Sequence, residues 1–186
     1  MHFYAFFFKF LQNSTKILKN MYYYIPLRKG DIMIEEYFIN EDTLILVPNG
    51  KLKTKVYDKE GIFDIKMNIL DIIENSCNYY GSSFLGRCIG SKKILNMNYK
   101  LPIIIDEVKE TILIPTSSPK CEDCHWICLN NIEDYSKLKN TTLIEFNNKN
   151  KYELKNSYYI LENQILRATL LLTRLKKRKQ VVKKIS

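Results

Sequence analysis

The sequence predicts an α+β protein in which a mainly antiparallel sheet packs with several helices, the last of them basic and amphipathic. Short runs rich in Ile, Leu, Val and Thr recur between turn residues, which is typical of strands. Two further stretches have the apolar spacing of helices. With 46% hydrophobic and 26% charged residues, the composition is that of a globular chain.

The first part of the core is predicted to contain three strands. Asp31–Phe38 and Thr43–Val47 run apolar with β-branched residues, and Pro48–Gly50 is a turn signal. Lys51–Tyr57 alternates with a period of two, which indicates a half-exposed strand. Because these segments are short and closely spaced, we expect them to form an antiparallel meander.

Two helices are predicted next. The first has its apolar positions at Met67, Leu70, Ile73 and Cys77. Asn68 or Asp64 is suited to cap its beginning, and Gly81 is suited to end it. Ser82 is then expected to cap a second, shorter helix that ends near Gly90.

The second half is predicted to be mainly strands. Four of them are expected at Ile94–Tyr99, Ile103–Ile105, Thr111–Ile114 and Trp126–Leu129. Ile132–Leu138 is predicted as a short helix. Thr141–Phe146 and Lys151–Leu154 are expected to pair as a hairpin across residues 147–150.

The last element is predicted to be a long helix that begins near Asn156 or Ser157. Its apolar seam is Leu161, Ile165, Ala168, Leu172 and Leu175, spaced alternately by four and three residues. The chain carries a net charge of +9, and residues 163–186 carry +8 of it because no acid follows Glu162. A basic block at one end of a chain attracts a polyanion, either nucleic acid or an anionic membrane surface.

Nine basic residues are the candidate nucleic-acid contacts: Arg87, Lys92, Lys93, Arg167, Arg174, Lys176, Lys177, Arg178 and Lys179. Arg87 is suited to reach a phosphate or the narrow minor groove of AT-rich DNA, and the alternative is a surface salt bridge. Tyr79, Tyr80 and Phe84 have the chemistry to stack on bases. Packing at a helix junction is the favoured interpretation of these three rings.

The five cysteines suggest reduced thiols rather than a cofactor site. Cys121, Cys124 and His125 fit the C-x-x-C-H pattern of haem attachment, which is not expected in a cytoplasmic protein. Zinc held by these residues and Cys128 is the stronger alternative, but a second ligand pair is not obvious in the sequence. With only two histidines and no phosphate loop or nucleophile motif, we expect neither a cofactor nor an enzyme.

Three regions are expected: an extension at 1–30, an α+β core at 31–156 and a helix with a basic tail at 157–186. The extension contains an aromatic stretch, Phe3–Leu11, which is too short to span a membrane. It is open to interpretation as a membrane-surface anchor, as an extra strand or helix, or as sequence upstream of a start at Met21.

Five sequence blocks together resemble the ComK family, the competence transcription factors of Bacillus and its relatives. The blocks are Ser76–Arg87, Lys100–Asp106, Ile112–Thr116, Cys124–Ile127 and Glu162–Gln164 ahead of Arg167. The resemblance runs from about Ile34 to about Thr173. It implies a cytoplasmic, nucleoid-associated activator of DNA-uptake genes that binds double-stranded promoter DNA, with RNA polymerase as a candidate further partner.

The resemblance also implies how DNA is recognised. The family is expected to bind paired AT-rich boxes, mainly through the minor groove, as homodimers that assemble to a tetramer on DNA. Members from Bacillus carry a longer C-terminus that an adaptor recognises for delivery to a Clp protease. The lysine-rich end of this chain does not match that segment, so the sequence does not support this route of control.

Two alternative functions follow from the residues themselves. The first is a membrane-surface or partner-binding protein that uses Phe3–Leu11 and the basic helix as a two-part anchor. The second is a zinc-dependent nucleic-acid module built on the cysteine loop.

Overall fold

The computed structural model describes residues 33–185, and it describes side chains from residue 34 to residue 181. The helices are α1 (Ile69–Tyr79), α2 (Phe84–Leu95) and α3 (Tyr158–Ile185). The strands are β1 (Met33–Ile34), β2 (Thr43–Pro48), β3 (Thr54–Asp58), β4 (Gly61–Ile65), β5 (Ile103–Asp106), β6 (Thr111–Pro115), β7 (Trp126–Cys128), β8 (Ile132–Lys137), β9 (Thr142–Phe146) and β10 (Lys151–Leu154). The expectations for residues 1–30 lie outside the described residues.

The strands form two sheets. The larger has the order β1-β4-β3-β2-β7-β6-β5, and the smaller has the order β10-β9-β8. Every pairing is antiparallel except that of β1 with β4. The α+β class and the mainly antiparallel sheet are therefore confirmed. None of the helices in the described part of the chain has an apolar stretch long enough to cross a membrane.

The large sheet is covered on both faces, which explains why its central strands are apolar at consecutive positions. Trp126 on β7 packs in one cluster with Ile72 and Ile73 of α1. The next residue, Ile127, belongs to a second cluster, which contains Leu161 of α3 and side chains of the small sheet. Successive residues of a strand point to opposite faces, so the helix pair and α3 lie on opposite sides of the sheet.

Several predicted elements are confirmed. Helix α1 begins at its Asn68 cap, and the hairpin of β9 and β10 crosses residues 147–150 as expected. The long C-terminal helix is also present. The residues that α3 buries most deeply are Leu161, Gln164, Ala168 and Leu171, whereas the predicted Ile165 and Leu172 lie half-buried beside them.

The prediction of a strand at Ile94–Tyr99 is wrong, because α2 continues to Leu95, well beyond Gly90. Its N-cap is Ser83 rather than Ser82, and Asn96 ends it in the left-handed conformation at φ 57°. Asparagine tolerates this conformation better than most residues, so it ends a helix where no glycine is present.

The prediction of a helix at Ile132–Leu138 is also wrong, because this segment contains strand β8. Its half-buried residues, Ile132 and Tyr135, are three apart, a spacing that resembles a helix. The pairing of β8 with β9 shifts between Ile132 and Asp134. An extra residue in the strand changes the phase of its alternation, and both side chains therefore face inward.

The start of the core differs from the prediction as well. Within Asp31–Phe38, the described residues contribute only β1, which pairs in parallel with β4 rather than with β2. The antiparallel meander is made by β2, β3 and β4 instead. Strand β4, which follows β3 after a two-residue turn, was not predicted.

Candidate nucleic-acid interface

Helices α1 and α2 are joined by a turn of four residues, Tyr80–Ser83. Gly81 in this turn has φ +73°, which favours glycine. The first turn of α2 is capped twice. The Ser83 hydroxyl accepts a hydrogen bond from the Gly86 amide at 3.0 Å, and the Glu74 carboxylate accepts one from the Phe84 amide at 2.8 Å. The turn and caps therefore fix the start of α2.

The aromatic residues of this junction mainly pack. The Phe84 ring meets the Trp126 ring edge-on, with 6.0 Å between centroids. Tyr80 packs against the same core cluster. Tyr79 is 63% exposed and contacts the rings of Tyr80 and Phe38. The packing interpretation therefore describes Tyr80 and Phe84, whereas Tyr79 presents much of its ring to solvent.

Helix α3 extends beyond the core that anchors it. It has 28 residues and is therefore about 42 Å long. Among its described side chains the last half-buried one is Leu175, and residues 176–181 are all exposed. The basic end of the helix is thus presented to solvent rather than packed under the sheets.

Two arginines attach α3 to the end of α2 and to the segment that follows it. The Arg174 guanidinium donates hydrogen bonds to the carbonyl oxygens of Ile94, at 2.8 Å, and Leu95, at 3.3 Å. These carbonyls belong to the end of α2, where a positive charge is favourable. Arg167 donates to the Tyr99 carbonyl at 3.3 Å. Arg174 therefore joins the two helices, and Arg167 joins α3 to the segment after α2.

Three predicted contact residues pair with acids of the turn between β5 and β6, and we call them the paired cluster: Arg87, Lys176 and Lys179. Glu107 lies 2.8 Å from both Arg87 and Lys179, and Glu110 lies 2.8 Å from Lys176. Arg87 also donates to the Ile105 carbonyl.

Glu107 is the acid that joins two of these cations. Hydrogen bonds from Lys179 and Arg87 lower the pKa of the Glu107 carboxyl below its ordinary value. Glu107 therefore stays ionised, and the charges of the paired cluster are largely balanced near neutral pH. The surface salt bridge considered for Arg87 is present, and its contact with DNA stays a prediction.

Four predicted contact residues have side chains that form neither an ion pair nor a hydrogen bond within the described residues, and we call them the open cluster: Lys92, Lys93, Lys177 and Arg178. All four are exposed. Lys177 and Arg178 line an open groove of about 540 Å³ together with Ile94, Arg174 and Val181. Lys92 and Lys93 lie in the last turn of α2, beside Ile94. The cations that line the groove therefore all come from α3, whereas α2 contributes Ile94 and carries Lys92 and Lys93 next to it in sequence.

The cysteine loop does not resemble a metal site. No group of three His, Cys, Asp or Glu side chains in the described part of the chain is placed to hold a metal ion. The Cys124 thiol donates to the Ser117 carbonyl, and Cys128 is fully buried, which raises the pKa of its thiol to about 12. The His125 ring nitrogens contact the Asp123 carbonyl at 2.8 Å and the Tyr152 hydroxyl at 3.0 Å.

Sequence reasoning missed the groove's apolar residues and the acids of the paired cluster. Ile94 and Val181 line the groove, and Glu107 and Glu110 form ion pairs with the cations of the paired cluster. A local pattern does not reveal these partners, because Lys179 and Glu107 are 72 residues apart.

Fold and site together define a class: a basic α+β protein with a solvent-exposed, cation-lined groove suited to an extended anion. A family model described as "ComK protein" matches residues 34–180. The chain is 31% identical over 155 residues to the "Competence transcription factor" of Bacillus subtilis (strain 168), covering 81% of each chain. The chain therefore belongs to the ComK family, and the resemblance is confirmed. No solved structure matches it.

Proposed function

We propose that this protein is a DNA-binding transcription activator of genes for competence, the uptake of DNA, and that it acts in the cytoplasm at the nucleoid. The observation that carries the proposal is the open cluster beside the groove between α2 and α3, in a chain of this family. The Bacillus subtilis relative is named as a competence transcription factor, which supports the same conclusion. A regulator of this kind needs no catalytic site.

The groove has the chemistry that a DNA backbone requires. Arg178 and Lys177 follow Arg174 by four and three residues, so all three side chains project from adjacent positions of α3. Each phosphate that they neutralise releases counterions and makes binding more dependent on salt. Val181 and Ile94 offer apolar contact to the sugars between the phosphates.

Recognition of paired AT-rich boxes through the minor groove is part of the proposal. AT-rich DNA has a narrow minor groove whose negative potential attracts arginine. Arg178 is the candidate for this role, because it is exposed and has no acidic partner among the described residues. Two copies bound as a dimer, and two dimers on paired boxes, fit the symmetry of such a site.

Gel-shift binding tests the proposal directly. The probe is a duplex with two AT-rich boxes, and the control is a GC-rich duplex of the same length, both across a series of salt concentrations. We expect AT-selective binding that weakens steeply with salt and is blocked by a drug that binds the minor groove. Equal weak binding to both duplexes, or none, contradicts the proposal.

A charge-matched pair of variants separates the groove from a general effect of charge. The variant Lys177→Gln/Arg178→Gln removes two cations from the groove. The control Lys51→Gln/Lys53→Gln removes two exposed cations from the turn before β3. We expect the first to weaken binding and to reduce the salt slope by about 1.8, whereas the control changes neither appreciably. A chain that lacks residues 1–20 tests the membrane alternative. Its binding to DNA and to anionic vesicles is compared with the binding of both variants to the same two ligands.

A further inference from the structure

The outer face of α2 presents apolar side chains to solvent. Leu85 is 68% exposed and Ile89 is 46% exposed, although the two are one helical turn apart. The inner face of the same helix packs through Phe84 and Leu95. An exposed apolar pair on a well-packed helix is a candidate contact surface.

Two glycines lie on the groove side of this face. Gly86, Gly90 and Ile94 are spaced by four residues, so they follow one line along α2 that leads to the groove. A Cβ atom added at Gly90 would meet no described atom within 4 Å, and its φ is not positive. Glycine inside a helix is less favourable than alanine. Neither packing nor backbone conformation therefore explains Gly90, whereas close approach of a ligand to the backbone does.

Charge identifies the occupant of this face. Helix α2 carries Arg87, Lys92 and Lys93 and no acidic residue, and its last turn contributes to the open cluster. A polyanion is attracted to such a helix, whereas pairing two copies through it would bring their lysines toward each other.

We propose that the face of α2 formed by Leu85, Gly86, Ile89 and Gly90 is a DNA-contact surface. The sugar–phosphate backbone approaches the helix main chain at Gly90, while Leu85 and Ile89 make apolar contact inside the groove of the duplex. Proteins that bind the minor groove use leucine and isoleucine in this way. The inference rests on the proposed DNA binding, and it adds a surface that contributes contact without charge.

The test places a bulky side chain at Gly90. Gly90→Leu places a good helix former in open space, so we expect the melting temperature of the free protein to stay the same or to rise. We expect its affinity for the AT-rich duplex to fall by about 10-fold or more, with an unchanged salt slope because no charge is lost. The control Thr169→Leu adds the same side chain at an exposed position of α3.

A second variant tests the apolar contact without adding bulk. Leu85→Ala/Ile89→Ala removes exposed side chains, so folding is expected to be unaffected. We expect binding to weaken several-fold, again with the same salt slope.

Three outcomes overturn the inference in different ways. If the wild-type protein binds no DNA, the proposed function fails and the inference fails with it. If Lys177→Gln/Arg178→Gln weakens binding but Gly90→Leu behaves like Thr169→Leu, only the inference fails. If sedimentation shows that Gly90→Leu dissociates a dimer in the absence of DNA, a second copy of this chain occupies the face instead.

Discussion

The paired and open clusters have almost the same composition but different surroundings. Lys176 and Lys179 have side chains 56% and 52% exposed, yet each lies 2.8 Å from a carboxylate. Lys177 and Arg178 stand between them in sequence, and the helix turns them toward the groove with Arg174. The geometry of the helix therefore divides this run of cations into two groups. Only part of the formal charge of the run is available to a ligand.

The strongest test of this difference replaces the whole open cluster. We expect Lys92→Gln/Lys93→Gln/Lys177→Gln/Arg178→Gln to lower DNA affinity by about 100-fold, and the salt slope to fall by about 0.9 for each cation in phosphate contact. Affinity measured at four salt concentrations checks both values. An equal loss on replacing the paired cluster would show that the division has no functional meaning.

Arg174 is expected to produce the next largest effect, because it lines the groove and also caps α2. Arg174→Ala removes hydrogen bonds to the Ile94 and Leu95 carbonyls, which we expect to lower the free energy of unfolding by about 1 kcal/mol. DNA affinity is expected to fall by about 10-fold. Denaturant unfolding and gel-shift titration measure the two losses separately.

Arg174→Lys distinguishes the two roles of this residue. It keeps the charge but lacks the fork of a guanidinium. We expect it to recover most of the affinity and little of the stability. Recovery of both would mean that charge alone explains Arg174.

Removing the acids should change binding in the opposite direction. Glu107→Gln/Glu110→Gln leaves the paired cluster without its partners, so we expect DNA affinity to rise about 2- to 5-fold and the salt dependence to become steeper. Glu133→Gln, at an exposed position of β8, is the control. Unchanged affinity would show that DNA does not reach this side of α3.

The same acids predict a dependence on pH. Because the pKa of Glu107 is lowered in the folded protein, its ion pairs stabilise the fold above the ordinary glutamate pKa of about 4.3. This stabilisation is lost as the pH falls through the lower folded value. We expect Glu107→Gln to flatten the fall in unfolding free energy below about pH 4, as followed by denaturant titration.

The smallest effect is expected for the cations that are already neutralised. Lys176→Gln/Lys179→Gln should lower DNA affinity by less than about 3-fold, because the ligand would have to compete with Glu107 and Glu110 for them. Thermal melting should barely change, since exposed ion pairs contribute little. A loss as large as that of Lys177→Gln/Arg178→Gln, measured in the same gel shift, would contradict the division.

The parts that the sequence predicted correctly depend on local patterns. Helix α1 and the hairpin of β9 and β10 follow from apolar spacing, an Asn cap and a turn within the segment itself. The segment Ile132–Leu138 was wrongly predicted as a helix, because a shift in its pairing with β9 decides which of its side chains face inward. The open groove was likewise not predictable, because it needs Ile94 and Val181 to meet across 87 residues of chain.

Asn131 links the two sheets and thereby affects how the molecule unfolds. Its buried amide donates to the carbonyl oxygens of Glu41, at 2.9 Å, and Thr43, at 2.7 Å, at the edge of β2. Its amide oxygen accepts from Asn147, which follows β9, at 3.0 Å. One side chain thus satisfies groups of both sheets, and neither sheet separates without exposing unpaired buried groups. The two sheets should melt as a single cooperative unit, with one transition in calorimetry.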